Sequence, residues 1–395
     1  MPTRVTITTE ALIPDLLKLE RFRRTPELGP KLLFFSGGTA LTGVSRELIN
    51  YTHNSIHIIT PFDSGGSSAE LRRAFAMPAV GDIRNRLMAL ADQSVKGTPE
   101  VFTLFAKRLD TEADQPELRQ KLVEMSDGLH PLVRAVPGPM RMLIQNHFHR
   151  FLEAMPADFD LKGASIGNLV LTAGYLDNRQ QMDSVIFLFS KLVQVCGLVS
   201  PVVGQNLHLA VELESGEVIV GQHRFTGKAD RAIPSPIARI WLTAGLDTPE
   251  PVTACIDEKM KGLIGQAGLI CYPMGSFYSS VIANLLPQGV GMRIASNRCP
   301  KVFVPNTLED PEAPGMSVTD QVKILQETLT RCGARADEVL HYVLVDLKNG
   351  RYPNGCDQDE LQRLGIKVID CPLVAPNQGG HIQAQPLVQA LLSLA

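Results

Sequence analysis

Two short β-favouring runs, KLLFF (31–35) and SIHIIT (55–60), stand about one helix apart with LTGVSRELINY between them, and this spacing constrains the fold more than any other feature of the chain. A helix-length connection between two such runs reads as a βαβ unit, whose strands lie parallel. Crossovers of that kind bring the loops after both strands to one sheet edge. Those loops are SGGT (36–39) and PFDSGGSS (61–68), each rich in glycine and each leading into a helix. Two glycine loops are therefore expected side by side at a carboxyl edge.

At 395 residues the chain exceeds what one core usually organises, so one large α/β domain with additions, or two domains, is expected. Hydrophobic residues make up 44% and charged residues 20%, which sets disorder aside. A net charge of -3, from 38 basic and 41 acidic residues without a long basic block, argues against polymeric nucleic acid as a partner. The seven cysteines are widely spaced and never C-x-x-C, which fits a reducing compartment and suggests neither a disulfide framework nor a zinc site. MPTRVTITTEALIPDLLKLE lacks a basic-then-apolar leader and no run of 18 apolar residues occurs, so a cytoplasmic protein without membrane contact is expected.

Residues 1–30 read as a polar lead-in to an α/β domain spanning 31–395, with a mostly helical region at about 83–195. There DIRNRLMALAD, ELRQKLVEM, RMLIQNHFHRFLEAM and MDSVIFLFSKLVQVC carry apolar residues at three- and four-residue spacing. QNLHLAVELESGEVIVGQH predicts a hairpin turning at Ser215 and Gly216. Beyond it, GLICYP, GMRIASN, KVFVPN, HYVLVD and GIKVIDCPL are expected as strands, and SVTDQVKILQETL as a helix capped by Ser317 or Thr319.

Glycine at a strand-to-helix turn lets a ligand approach the backbone, and the free N–H groups of the helix attract an anion. Gly37, Gly38 and Thr39 are therefore candidate phosphate contacts, with a plain tight turn as the alternative. Gly65, Gly66, Ser67 and Ser68 repeat the arrangement after the next strand. Beside them Asp63 suits a Mg²⁺ bridging ligand phosphates, or simply caps the helix. PAVGDIRNRL offers Asp82, Arg84, Asn85 and Arg86 at a helix start; each has a capping or solvated reading beside a ligand role. Asn168, in KGASIGNLVLTAG, is either a base or sugar contact or a satisfied buried amide. Gly275 and Ser276 open a third strand-to-helix loop. His147 and His149 are two apart, which suits a surface better than a metal pair. No nucleophile elbow or local triad is visible, so covalent catalysis gains no support.

Taken in order, FFSGGTALTGVSRELI, DSGGSSAELR, PAVGDIRNRL, GASIGNLVLTA, LHLAVELESGEVIVGQ and YPMGSFYSSVIANLLP resemble the motif set of the 2-phospho-L-lactate transferase (CofD-like) family, from about residue 30 to 345. The resemblance implies a Rossmann-like, mostly parallel sheet with helices on both faces and a helical insert, the nucleotide lying across the carboxyl edge. One branch of the family moves a phospholactyl group from a guanosine diphosphate-linked donor to a deazaflavin hydroxyl with Mg²⁺; another resembles a gluconeogenesis factor that binds a UDP-sugar without known catalysis. The family loop G-G-G-T-G stands here as Ser36-Gly37-Gly38-Thr39-Ala40. The family's D-D-G-G-S-S-G-R-L-R stands as Asp63-Ser64-Gly65-Gly66-Ser67-Ser68-Ala69-Glu70-Leu71-Arg72, and G-P-G-S as Pro273-Met274-Gly275-Ser276.

A transferase of this type would position a hydroxyl acceptor in line with the donor phosphorus, with no covalent intermediate. Asp63 is then the expected metal ligand and catalytic carboxylate. Gly37, Gly38, Thr39, Gly65, Gly66, Ser67 and Ser68 are the expected phosphate contacts, and Asn85, Asn168, Gly275 and Ser276 the nucleotide or acceptor contacts. Mg²⁺ is the expected cofactor. The expected partners are a nucleoside diphosphate or nucleotide-linked small molecule, with a deazaflavin acceptor or a homodimer partner as further expectations. The alternative is a nucleotide-sugar-binding regulator that catalyses nothing.

Overall fold

The computed structural model describes residues 10–94, 97–227, 233–376 and 379–395. Met1 to Thr9, part of the stretch read above for a leader, lie outside the described residues. Eleven strands are present among those described: β1 (Leu32–Ser36), β2 (Ile56–Ile59), β3 (Leu198–Pro201), β4 (His208–Leu213), β5 (Val218–Val220), β6 (Ile237–Gly245), β7 (Thr248–Pro251), β8 (Leu269–Tyr272), β9 (Lys301–Phe303), β10 (Tyr342–Val345) and β11 (Lys367–Asp370). Seven of them form one sheet in the order β11-β10-β9-β8-β1-β2-β3, and every neighbouring pair is parallel. Counted within that sheet the order is 3-2-1-4-5-6-7, the Rossmann arrangement with one strand added, and the direction of winding reverses between β1 and β8.

The strands alternate their side chains between two apolar layers, so both faces are covered. From β1, Leu32 and Phe34 pack with Leu19, Leu48, Leu387 and Leu391, under the helices Leu16–Arg24, Thr42–Leu48 and Ala384–Leu394. Leu33 and Phe35 face the opposite layer. It holds the helices Glu258–Gln266, Val290–Ser296 and Val318–Thr330, and the second sheet, β5-β4-β6-β7, which is antiparallel throughout. The β4–β5 hairpin turns where expected, with Gly216 at φ +85°. β6 and β7, which complete that sheet, had no counterpart in the sequence reading. A third apolar layer belongs to the helices between Gly81 and Leu192, built round Phe105, Phe148, Phe151 and Phe189.

Two sequence readings are corrected. GMRIASN is not a strand but lies in the helix Val290–Ser296: Val290 and Ile294 are fully buried one turn apart while Met292 is 47% exposed, a helical and not an alternating pattern. Gly291 is seated against the Leu329 carbonyl, where a side chain would collide with the neighbouring helix. His147 is not on the surface. It is buried in the helix Gly138–Ala154 with Nδ1 2.7 Å from the Leu143 carbonyl, whereas His149 is exposed. The helix Val318–Thr330 is capped by Ser317, which forms a capping box with Asp320. Among the described residues no helix is long and apolar enough to cross a membrane.

Candidate functional site

The loops after β1 and β2 open at the same carboxyl edge and are tied together by the helix Gly81–Ala89. The Arg86 guanidinium, fully buried in that helix, donates to the Gly37 carbonyl (3.0 Å) and to the Ser36 hydroxyl (3.4 Å), and it also donates to Ser45 Oγ. Burial lowers its pKa to about 10, with Asp82 opposing the shift, so it stays charged at neutral pH. Two close approaches explain the glycines. A β-carbon on Gly38 would run into the Asp82 carboxyl group, and one on Gly81 would lie 2.7 Å from Ser68 Oγ and 3.6 Å from Asp63 Oδ2.

A cavity of about 430 Å³ opens beyond β2, at the start of the helix Gly66–Phe75. Its walls include Asp63, Gly65, Gly66, Ser67, Ser68, Asn85 and Asn168, together with Asp82 and Arg84. Gly65 is the N-cap and no side chain caps the helix; Asp63 Oδ1 instead accepts the Gly65 N–H at 3.0 Å in a tight local turn. The leading amides of a ten-residue helix are thus directed at a polar space.

Asn168 is 1% exposed and spans the floor of the site. Its Oδ1 accepts from Arg84 Nε at 3.3 Å, and its Nδ2 donates to Ser67 Oγ at 3.2 Å. The amide thereby holds the Ser67 hydroxyl and the Arg84 cation in register. Burial, reinforced by the neighbouring Arg108 charge, lowers the Arg84 pKa to about 10. Arg108 donates to the Gly163 carbonyl at 3.0 Å. These two hydrogen bonds go to neutral oxygens, and the two cations are held near each other at one wall, with the Asp82 charge acting on Arg84.

Gly37, Gly38 and Thr39 are not walls of this cavity; the two glycines back onto it through Asp82 and Asn85, and Thr39 is exposed. Gly275 and Ser276 sit at the β1/β8 reversal. Asn306 grips Gly275 through both its N–H (2.9 Å) and its carbonyl (2.6 Å), and a β-carbon there would lie 3.4 Å from the Ala40 methyl. The helical segment that follows has its leading amides taken by the protein's own carboxylates: Phe277 N donates to Asp310 and Ser279 N to Glu312, each at 2.7 Å.

Four further walls are Arg108 in the helical region and Gln222, His223 and Thr226 after β5; Gln222 and His223 close the predicted hairpin segment, but no site role was expected for any of the four. Gln222 Oε1 and Thr226 Oγ1 are buried with no partner among the described residues, which leaves polar demand beside the cavity. A second chamber of about 700 Å³ shares Gly66, Ser67, Arg108 and His223 with the first and continues past Glu70, Phe159 and Leu246.

Strand order, winding reversal and a cation-lined cavity off the carboxyl ends define a doubly wound α/β protein with a built polar site. The chain belongs to the family described as 2-phospho-L-lactate transferase CofD, whose model matches residues 32–374. It is similar to the putative gluconeogenesis factor of Thermoanaerobacterium thermosulfurigenes, at 29% identity over 93% of this chain and 97% of that one. It is also similar to the gluconeogenesis factor of Bacillus subtilis, at 28% identity over 86% of this chain and 90% of that one. A solved UPF0052-family protein from Bacillus halodurans shares the fold with a TM-score of 0.67 and 24% identity, over 92% of this chain and 99% of its own.

Proposed function

We propose that this chain binds a nucleoside diphosphate-linked small molecule, with its phosphates at the start of the helix Gly66–Phe75. The observation that supports this most is the pairing of Arg84 with Arg108 at a wall facing uncapped helix amides, where a bound anion would relieve like-charge crowding and take up free donors. Of the two activities in the family, we favour the nucleotide-sugar-binding regulator. Whole-length similarity to proteins called gluconeogenesis factors supports it. So does Ser64, which stands where the family motif has a second carboxylate and whose hydroxyl is engaged with His223.

The transferase reading has its own support in Asp63 and Asp82, two carboxylates on the cavity wall. No cluster of three or more acidic, His or Cys residues is placed for a metal among the described residues, so a Mg²⁺ here would rely on ligand phosphates for the rest of its shell. Asp63 and Asp82 would hold it, and it would supply charge neutralisation at the phosphates. The chain's own part would be to fix the donor with Ser67, Ser68 and Arg84 while a hydroxyl acceptor such as a deazaflavin enters from the second chamber.

Calorimetry with GDP, UDP, UDP-N-acetylglucosamine and free deazaflavin, with and without Mg²⁺, separates these readings. Binding of the UDP-sugar without turnover is the result expected. Mg²⁺-dependent binding of GDP and deazaflavin would establish the transferase, and no binding to any nucleotide would overturn both.

A further inference from the structure

Ser64 and His223 meet across 159 residues, one in the loop after β2 and the other after β5 of the second sheet. Ser64 is buried, and its Oγ accepts the His223 backbone N–H at 3.2 Å while standing 2.8 Å from His223 Nδ1. One arrangement that satisfies both atoms has the hydroxyl donating to Nδ1. The ring is then the tautomer with its proton on Nε2. Nε2 has no protein partner among the described residues and is not one of the buried orphan atoms, while the ring lines both chambers. His223 Cβ lies 3.4 Å from where a Gly65 side chain would begin, which sets the imidazole over the N-cap of the helix Gly66–Phe75.

An N–H donor at this place adds direction where Arg84 and Arg108 already add charge. The first chamber holds the helix amides, and His223 stands on the wall it shares with the second. Building on the nucleotide-binding reading above, we infer that His223, fixed by Ser64, donates from Nε2 to the outer phosphate of the ligand and so distinguishes a nucleoside diphosphate from the monophosphate. Ser64 is a positioning residue in this account, and His223 touches the ligand.

The test is calorimetry of the full chain against UMP, UDP, GMP and GDP, for the wild type and for His223→Ala, His223→Gln and Ser64→Ala. The expected result is a preference for the diphosphate that falls about tenfold in His223→Ala, as loss of one hydrogen bond to a charged oxygen would give, with monophosphate affinity unchanged. His223→Gln, which keeps an N–H donor, restores part of the preference, and Ser64→Ala lowers it less than His223→Ala does. Diphosphate binding whose preference survives His223→Ala overturns the inference alone. Equal loss of mono- and diphosphate binding assigns His223 a structural role and also overturns it. A wild-type chain that binds none of the four overturns the nucleotide reading beneath it.

Discussion

Gly38 is seated on Asp82: a β-carbon at residue 38 would lie 2.8 Å from the Asp82 carboxyl carbon and 3.2 Å from Asn85 Nδ2. The loop cannot retreat, because Arg86 holds the carbonyl of the preceding glycine from below. Gly38→Ala must therefore push Asp82 and Asn85, both cavity walls, out of place. Overpacking of this kind should cost about 1–3 kcal/mol in urea unfolding. Nucleotide affinity should fall at least tenfold by calorimetry, and unchanged affinity would separate the Gly37–Gly38 loop from the site.

Asp63→Asn keeps the side-chain shape and removes a charge that favours the buried Arg72 guanidinium. The Asn oxygen can still accept the Gly65 N–H, so the turn that starts the helix is kept. Unfolding free energy should fall by no more than about 1 kcal/mol, from the weakened support of Arg72, while any Mg²⁺-dependent part of ligand affinity, and any turnover, should disappear. Calorimetry with and without Mg²⁺ reads this directly, and a variant that keeps its Mg²⁺ dependence removes Asp63 from the metal's shell.

What could be read from the sequence follows the range of the interactions. β1, β2 and their loops were legible because each is specified within a few residues: an apolar run, a turn of glycines, a helix start. The helix at 290–296 was misread because Val290, Met292 and Ile294 fit a two-residue alternation as well as a helical turn until burial shows Met292 outside. Arg86 looked like any arginine on an amphipathic helix, and only the folded chain shows it buried beneath the glycines. Arg108 and Thr226 carry no local pattern, and Gln222 and His223 were visible only as the end of a hairpin segment, with nothing to mark them as a wall. They reach the cavity because the helical region and the second sheet fold back over β2, and that packing has no counterpart in residue spacing.

Arg86→Lys tests whether the glycine loop depends on a fork of donors. A lysine ammonium is a compact charge and cannot reach Ser36, Gly37 and Ser45 together. Stranded carbonyl and hydroxyl groups in a buried place should cost roughly 2–4 kcal/mol. Thermal and urea unfolding measure it, and a variant as stable as the wild type would show that the loop holds its shape without this anchor.

Glu312 gives a pH signature that is independent of any ligand. Burial, with the Asp310 charge beside it, raises its pKa to about 7, although Ser279 donates to it through both its N–H and its hydroxyl; burial raises the Asp310 pKa as well. A carboxyl group whose folded pKa lies above its unfolded value binds more protons in the folded state. Its contribution to stability is therefore complete below about pH 4.5 and is lost as pH rises through about 7. Glu312→Gln cannot ionise and should lack that decline. Between pH 5.5 and 8.5 the wild type should lose stability relative to the variant by roughly 2 kcal/mol, read as urea-unfolding free energies at both pH values. Parallel pH profiles for the two proteins would mean that the Ser279 hydrogen bonds keep Glu312 ionised throughout, with its charge held by the leading amides of the segment after β8.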